Sequence, residues 1–415
     1  MHDHALNTAH PCFGQAPRES VLRVHLPVAP RSNLRLRFGS PRPASAAPAI
    51  LPAEALAWLE DVIACGEPVG MVGITGPGEP LATPETTFET LRLVRAKFPD
   101  LPLCLTTNGL ISPAPGGIIA DLDAFAGECR LLRLSHVTLL MDAVRPEVAE
   151  KLYAWIRPGL KTLPLPRATA LLMDAQSELL RALVRFGVPV KINTTVYTGL
   201  NAGHVEEIAR TAASLGAAIM NILPCPALPE DAVEAFGIED APCPPGKELL
   251  ATIRDRAARY LPLMTAFDEC GDASLETPRG QSAPAAALLP RPTPERPNVA
   301  VCSVSGMEID LHLGQAPQFL IYGRDNNRTG ELPTLLGTRP AAEPGSGNAR
   351  WEQVAETLHD CFALLAAGAG EKPRTVLAAK GLKVLVCEEG AGIDASVDML
   401  YGGGRKPGCG KKKRL

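Results

Sequence analysis

The chain reads as an α/β protein, a complete or partial (β/α) barrel followed by a smaller α/β domain, on three observations. Apolar runs of strand length alternate with segments of helical period from Pro52 to about Ala266, Gly, Pro or Asn punctuate the run ends, and a second alternating pattern begins after a Pro- and Ala-rich stretch. Strand, helix and strand in repetition require right-handed crossovers and a parallel sheet, whose working loops lie at the C-terminal ends of the strands. The length of 415 residues suits two or three domains.

The expected strands are Val69 to Thr75, Leu101 to Thr106, His136 to Met141, Val188 to Thr195 and Ala217 to Leu223, all aliphatic or β-branched. Three helical stripes lie among them. Phe88, Leu91, Val94 and Phe98 form one, Leu179, Leu180, Leu183 and Val184 a second, and Val205, Ile208, Ala212 and Leu215 a third. The stretch 275–298 lacks periodicity and reads as a linker. Beyond it, strands are expected at Val299 to Val304, Phe319 to Tyr322 and Leu382 to Cys387, with a helix striped by Trp351, Val354, Leu358, Cys361 and Leu365. The divisions expected are an N-terminal segment 1–50, a barrel 51–274, the linker, a compact domain 299–401 and a disordered Gly- and Lys-rich tail 402–415.

Composition narrows the function classes. Hydrophobic residues at 46% and charged residues at 21% are those of a globular chain. Aromatic residues at 4% and a formal charge of -4 argue against nucleic-acid binding, which needs stacking platforms and a basic face. No apolar run reaches the roughly 18 residues of a membrane span, and the His-rich N-terminus lacks a signal-peptide plan, so a cytoplasmic protein is expected. Eleven cysteines in such a setting are core thiols or metal ligands rather than disulfides, and none of them forms a Cys-x-x-Cys pair.

Three strand ends gather polar groups. Val72 to Leu81 leads from a strand into Gly76-Pro77-Gly78-Glu79-Pro80, where glycines let a ligand approach the backbone and Glu79 can accept from an ammonium group. Cys104 to Leu110 brings Thr107 and Asn108 to the same rim, and Val190 to Thr195 adds Lys191 and Asn193. The bland alternative for Glu79 is a solvated residue in a tight connection.

These segments carry a resemblance. Gly76 to Leu81, Phe98 to Leu110, His136 to Val144 and Met220 to Pro224, with His10-Pro11-Cys12 and His25 to Pro30 ahead of them, resemble the NifB family of radical S-adenosylmethionine (SAM) maturases of nitrogenase cofactor. Val299 to Val301, His312 to Ala316 and Phe319 to Tyr322 resemble the NifX-type cofactor-carrier domain often fused to that family. The resemblance implies a partial (β/α) barrel of radical SAM type, followed by a small RNase H-like carrier domain. It implies one 4Fe-4S cluster that cleaves SAM, and two further clusters fused around a carbide into a cofactor precursor. The partners implied are nitrogenase cofactor assembly proteins, with neither nucleic acid nor membrane involved.

The chain departs from the family where the radical cluster would be held. The three positions of the family's Cys-x-x-x-Cys-x-x-Cys are Ser32, Leu36 and Gly39, with Asn33 and Phe38 in family places. Serine is a poor iron ligand and the other two offer no donor, so radical chemistry is expected to be lost. The following loop, Ser40 to Ile50, is shorter than the family's and lacks its cysteine. His10, Cys12 and Cys104 match family positions that hold precursor clusters, and Cys270 is what remains of a Cys-x-x-Cys after the barrel. Iron-sulfur binding with fewer clusters than the family is one reading, and inherited core thiols without metal is the other. His312 stands in the carrier family's His-Phe-Gly motif, with Leu313 in place of Phe, and is a cofactor ligand or a structural histidine. Cys302, Cys361 and Cys387 read as core, and Cys409 as an exposed thiol of the tail. Two functions stay open: a precursor-binding member of the family without the radical step, or an active maturase whose missing ligands a partner supplies.

Overall fold

The computed structural model describes residues 10–13, 21–38, 49–64, 68–111, 121–159, 163–225, 243–264, 274–276, 282–284, 290–324, 333–343, 348–387 and 390–401. The chain divides into two compact units, one of residues 1–41 and 50–285 and the other of 42–49 and 286–415.

Six parallel strands make the frame of the first unit: β1 (Leu22–Ala29), β3 (Val69–Pro77), β4 (Leu103–Thr107), β5 (Leu134–Leu140), β7 (Val190–Val196) and β8 (Ile219–Pro224), adjacent in that order. Their runs are apolar because helices cover the outer face: α1 (Pro52–Ala64), α2 (Pro84–Lys97), α3 (Leu122–Leu131), α4 (Pro146–Leu152), α5 (Leu165–Arg185) and α6 (Val205–Ser214). Proline at the first turn starts α2 and α4, where its missing N–H is not needed, and Asp121 caps α3 by accepting from the Ala124 amide at 2.8 Å. All five expected strands are present within two residues at either end. The stripe Phe88, Leu91 and Val94 is buried as expected, whereas Val184 is 39% exposed. This is the α/β partial barrel that the alternation implied.

The structure adds strands that the sequence pattern does not announce. β1 is interrupted by Arg23, His25 and Pro27, yet all eight of its residues are buried. From the last barrel residue into the span read as linker, Ser274–Glu276 (β9) pairs antiparallel with β1, and Ser282–Pro284 (β10) pairs with β9. A short antiparallel pair joins β2 (Leu34–Leu36) to β6 (Tyr153–Ile156).

The second unit holds a five-stranded sheet ordered β14 (Thr334–Pro340), β13 (Gln318–Gly323), β11 (Asn298–Val301), β15 (Cys361–Ala366) and β16 (Lys383–Val386). The pairs β14–β13 and β13–β11 are antiparallel, and β11–β15 and β15–β16 are parallel, as an RNase H-like sheet requires. One expectation is corrected. The helical stripe was read through Cys361 and Leu365, but the helix ends at Thr357 and both residues belong to β15. Asp360 sits at the break, where it accepts from both Arg339 guanidinium nitrogens and from Asn298 Nδ2 at 2.5, 2.7 and 2.9 Å. That network stops the helix and sends the chain into the centre of the sheet.

Candidate functional site

The C-terminal rim of the parallel strands is knitted around Glu79. Its carboxylate accepts from Thr107 Oγ1 at 2.5 Å, the Asn108 amide at 2.8 Å and the Leu81 amide at 2.9 Å. Asn108 Nδ2 donates in turn to Asn33 Oδ1 at 2.7 Å, and Asn33 Nδ2 donates to the Leu110 carbonyl at 2.7 Å. Gln176, absent from the sequence reading, donates to the carbonyls of Asn108 and Leu140. Gly78 is needed here because a Cβ would fall on the backbone of Arg31, whose carbonyl accepts from the Glu79 amide at 2.7 Å. Gly76 lies just ahead with room around it. Burial pushes the Glu79 carboxyl up to about 7 against the pull of its three donors, so it is neither a solvated residue nor fully ionised near neutrality.

Beside this rim, the segment after β1 has no donor set for a cluster. Ser32 is exposed, and Leu36 pairs with Tyr153 in the β2–β6 ribbon. Leu34, Leu36 and Phe38 pack against the apolar cluster of Leu152, Tyr153, Ile156 and Tyr197. Gly39 lies outside the described residues. Side chains committed to apolar packing do not fit an iron-sulfur cluster, and no step is assigned to one here.

A second constellation lies near the N-terminal ends of the same strands. Register places His25, Gly73, Cys104 and His136 side by side across β1, β3, β4 and β5. A 3-10 turn at Pro11–Phe13 brings Cys12 to this row. Candidate ligand atoms of Cys12, Cys104 and His136 lie within 4.8 Å of one another, and all three residues are buried. Gly73 leaves the space in which they converge, since a Cβ there would stand 3.0 Å from Cys104 Sγ and 3.1 Å from both His25 Nδ1 and Met71 Cε. The Met71 sulfur accepts from Cys12 Sγ at 3.0 Å. His10 stacks edge-on against His136, with ring centroids 5.0 Å apart, and its Nδ1 accepts from the Cys12 amide.

The electrostatics favour metal-binding forms. Burial, then the charge of Lys191, lowers His10 to about 4, and burial holds His136 well below its ordinary range with help from His10 and Lys191, so both imidazoles are neutral. His136 Nδ1 is engaged by Ser135 Oγ at 3.1 Å, while its Nε2 is buried and has no hydrogen bond. The His10 Nε2, Thr75 Oγ1, Thr138 Oγ1 and Asn193 Oδ1 atoms are likewise buried without one. Polar groups left in that state ordinarily cost about 1–3 kcal/mol each, which points to a polar guest. Two thiols and a neutral imidazole suit iron.

The expected residues thus separate. Glu79, Thr107 and Asn108 meet at the rim, while His10, Cys12 and Cys104 meet at the other end. Lys191 joins the second group: it is fully buried near the start of β7, and Nζ reaches the Cys12 carbonyl at 3.4 Å. Asn193 sits two residues further along β7, opposite Leu140 and Asn221. Cys270 and Cys409 lie outside the described residues. His136 and His25 were missed because a histidine inside an apolar strand reads as core until register shows its neighbours. In the second unit, His312 is exposed and accepts from the Gly314 amide at 3.0 Å, a turn-capping role. Cys302 and Cys361 are buried, and burial pushes the Cys302, Cys361 and Cys387 thiols up to about 12. Among the described residues no helix is long and apolar enough to cross a membrane.

Comparison with known proteins places these features. The family described as "Dinitrogenase iron-molybdenum cofactor" matches residues 296–403. SuiB of Streptococcus suis in its SAM-bound crystal structure aligns with a TM-score of 0.41 and 14% identity over 61% of this chain and 51% of that one, too remote for its ligand to be carried over. The FeMo cofactor biosynthesis protein NifB of Klebsiella pneumoniae is 30% identical over 92% of this chain and 87% of its own length. With the NifB of Chlorobaculum tepidum the identity is 36% over 91% of this chain and 89% of that protein, and on this likeness the chain belongs to the NifB family.

Proposed function

We propose that this chain serves nitrogenase cofactor biosynthesis by holding an iron-sulfur precursor between Cys12, Cys104 and His136, without a radical cluster of its own. The observation that carries the reading is the buried convergence of two thiols and a neutral imidazole in a barrel that leaves several interior polar atoms without hydrogen bonds. His10 stands as a reserve donor. Lys191 offsets the negative charge of a sulfide-rich guest. Radical chemistry is left out because Ser32 and Leu36 offer no thiolate and Leu36 is packed against apolar side chains. The carrier-like second unit makes other nitrogenase cofactor assembly proteins the natural partners for delivery.

A second reading draws support from the rim. Glu79, Thr107 and Asn108 keep the polar arrangement that could meet the ammonium group of SAM, so a maturase completed by a partner's ligands would still find its substrate pocket. Anaerobic reconstitution with iron and sulfide, followed by iron counting, electron paramagnetic resonance and an assay for 5'-deoxyadenosine, separates the two. Bound clusters without 5'-deoxyadenosine support the precursor-holding protein. Bound clusters with it support the maturase, and a colourless, iron-free protein refutes both.

A further inference from the structure

A cavity of about 530 Å3 opens at the N-terminal rim of the parallel strands, the end opposite Glu79. It is lined by the turns that lead into β4, β5 and β7, including Pro99 to Pro102, Arg133 to Ser135 and Gly187 to Pro189. That volume lies within the roughly 300–1,000 Å3 of small-ligand sites. Its inner wall is shared with the thiol constellation. His10 and Phe13 line it, and so does Ser135, whose hydroxyl engages His136 Nδ1. The rings of His10, Phe13 and His136 touch one another, with centroids 4.9–5.3 Å apart, and Cys12 lies between the first two in the chain.

The outer wall is basic in a chain of net charge -4. Arg95, Arg130 and Arg133 line it against a single carboxylate, Asp100. Arg95 is committed to the fold, donating to the carbonyls of Leu132, Pro99 and Leu101. Arg130 and Arg133 are exposed. Arg133 holds a left-handed backbone, φ 52°, the one non-glycine residue among those described to do so. Such a conformation costs roughly 1–2 kcal/mol for a residue with a Cβ, and glycine would be free of that cost. An arginine kept there has its use in the side chain, which lines the cavity while its guanidinium donates to the Pro99 carbonyl at 2.6 Å.

We infer that this cavity is an anion-binding vestibule through which a preformed, thiolate-ligated iron-sulfur cluster reaches Cys12, Cys104 and His136. Such a cluster is negatively charged, and a basic mouth raises its local concentration before thiolates of the protein displace its own. No oxidation or reduction is required: each incoming cysteine gives up a proton, which the departing thiolate takes, and the thiolate displaced by the neutral His136 leaves as the anion and takes its proton from solvent. The inference rests on the reading of the thiol constellation as the precursor site.

The test uses the full-length chain under anaerobic conditions and a 4Fe-4S cluster ligated by 2-mercaptoethanol. Uptake is followed by visible absorption at several salt concentrations. The double variant R130E/R133E should take up the cluster about tenfold more slowly at low salt, lose the salt dependence of the wild type, and reach the same final iron content. R133G, which relieves the left-handed strain, should be slowed to a lesser degree with its fold intact. K372E/K380E, the same charge change on exposed lysines of the second unit, should keep the wild-type rate. A wild-type rate in R130E/R133E overturns the vestibule while leaving the precursor site standing. Failure of the wild type itself to take up iron overturns the precursor site and the vestibule with it.

Discussion

Replacing Glu79 with Gln should remove one specific component of the pH dependence of stability. Burial raises the folded-state pKa of Glu79 from 4.5 to about 7. Between those values the native chain holds a proton that the unfolded chain has released, so stability is greatest below about 4.5 and falls as pH rises towards 7. The rise corresponds to about 3 kcal/mol. Gln cannot ionise, and its size preserves the packing among Leu81, Thr107 and Asn108, although its amide must face at least one of the N–H groups that the carboxylate accepted from. The unfolding free energy of wild type minus variant should therefore decline by about 3 kcal/mol from pH 4.5 to pH 7 and be level above it. Asp142, which burial also raises to about 7, is present in both proteins and cancels in the difference. Urea titrations read by tryptophan fluorescence in a Trp351→Phe background follow the first unit, since Trp58 and Trp155 are the remaining indoles. A difference that is flat, or that rises with pH, refutes the claim that Glu79 is buried within the rim rather than open to water.

Replacing Cys12 and Cys104 with Ser together with His136→Ala should abolish iron retained after anaerobic reconstitution, whereas full retention would move the site to other thiols; iron counting after desalting decides. Gly78→Ala sets a methyl group against the Arg31 backbone and should cost at least about 2 kcal/mol, visible as a lower urea midpoint. Asp360→Asn loosens the network to Arg339 and Asn298 and should lower the stability of the second unit by about 1 kcal/mol, a modest figure because the pair is partly exposed. The Asp360 carboxyl is held well below its ordinary range by Arg339, so its contribution is complete above about pH 4 and lost as pH falls further, and the Asn variant should differ least from wild type in acid.

The strands that could be read from the sequence are those with two buried faces, where apolar runs such as Met71 to Ile74 carry few polar interruptions. β1 escaped because its inward positions carry Arg23 and His25, polar groups turned towards the interior rather than towards water. β15 escaped for another reason: Cys361–Ala366 is rich in Ala and Leu, which suit a helix, and only its place between β11 and β16 makes it a strand. Motif reading found the rim, since Gly76 to Glu79 forms a contiguous signature. It could not tell that Lys191 lies at the opposite end, because height along a barrel is set by inter-strand register and not by sequence spacing. The same register turns His136 from an apparent core histidine into the neighbour of Cys104.

Register also bears on how a member of this family could lose one capacity and keep another. The rim built on Glu79 and the segment carrying Ser32 and Leu36 lie at the C-terminal ends of the strands, whereas Cys12, Cys104 and His136 lie near the N-terminal ends, with the buried, paired Thr106 and Thr138 between them. The two groups sit at different heights along the strands, so changes at one end perturb the other little. Cysteines at the Ser32 and Leu36 positions could give way to a packed apolar ribbon without moving the thiol pair. The reverse holds as well: Gly73, whose missing Cβ makes room for Cys104, His25 and Met71 together, serves only the lower constellation. A side chain at position 73 would crowd all three neighbours, so their close approach depends on glycine. Gly73→Ala should therefore push these side chains apart, costing the apo protein about 1–3 kcal/mol as read by a lower urea midpoint, while iron binding is lost. Iron retained at the wild-type level in that variant would show that the glycine serves the fold and not a guest.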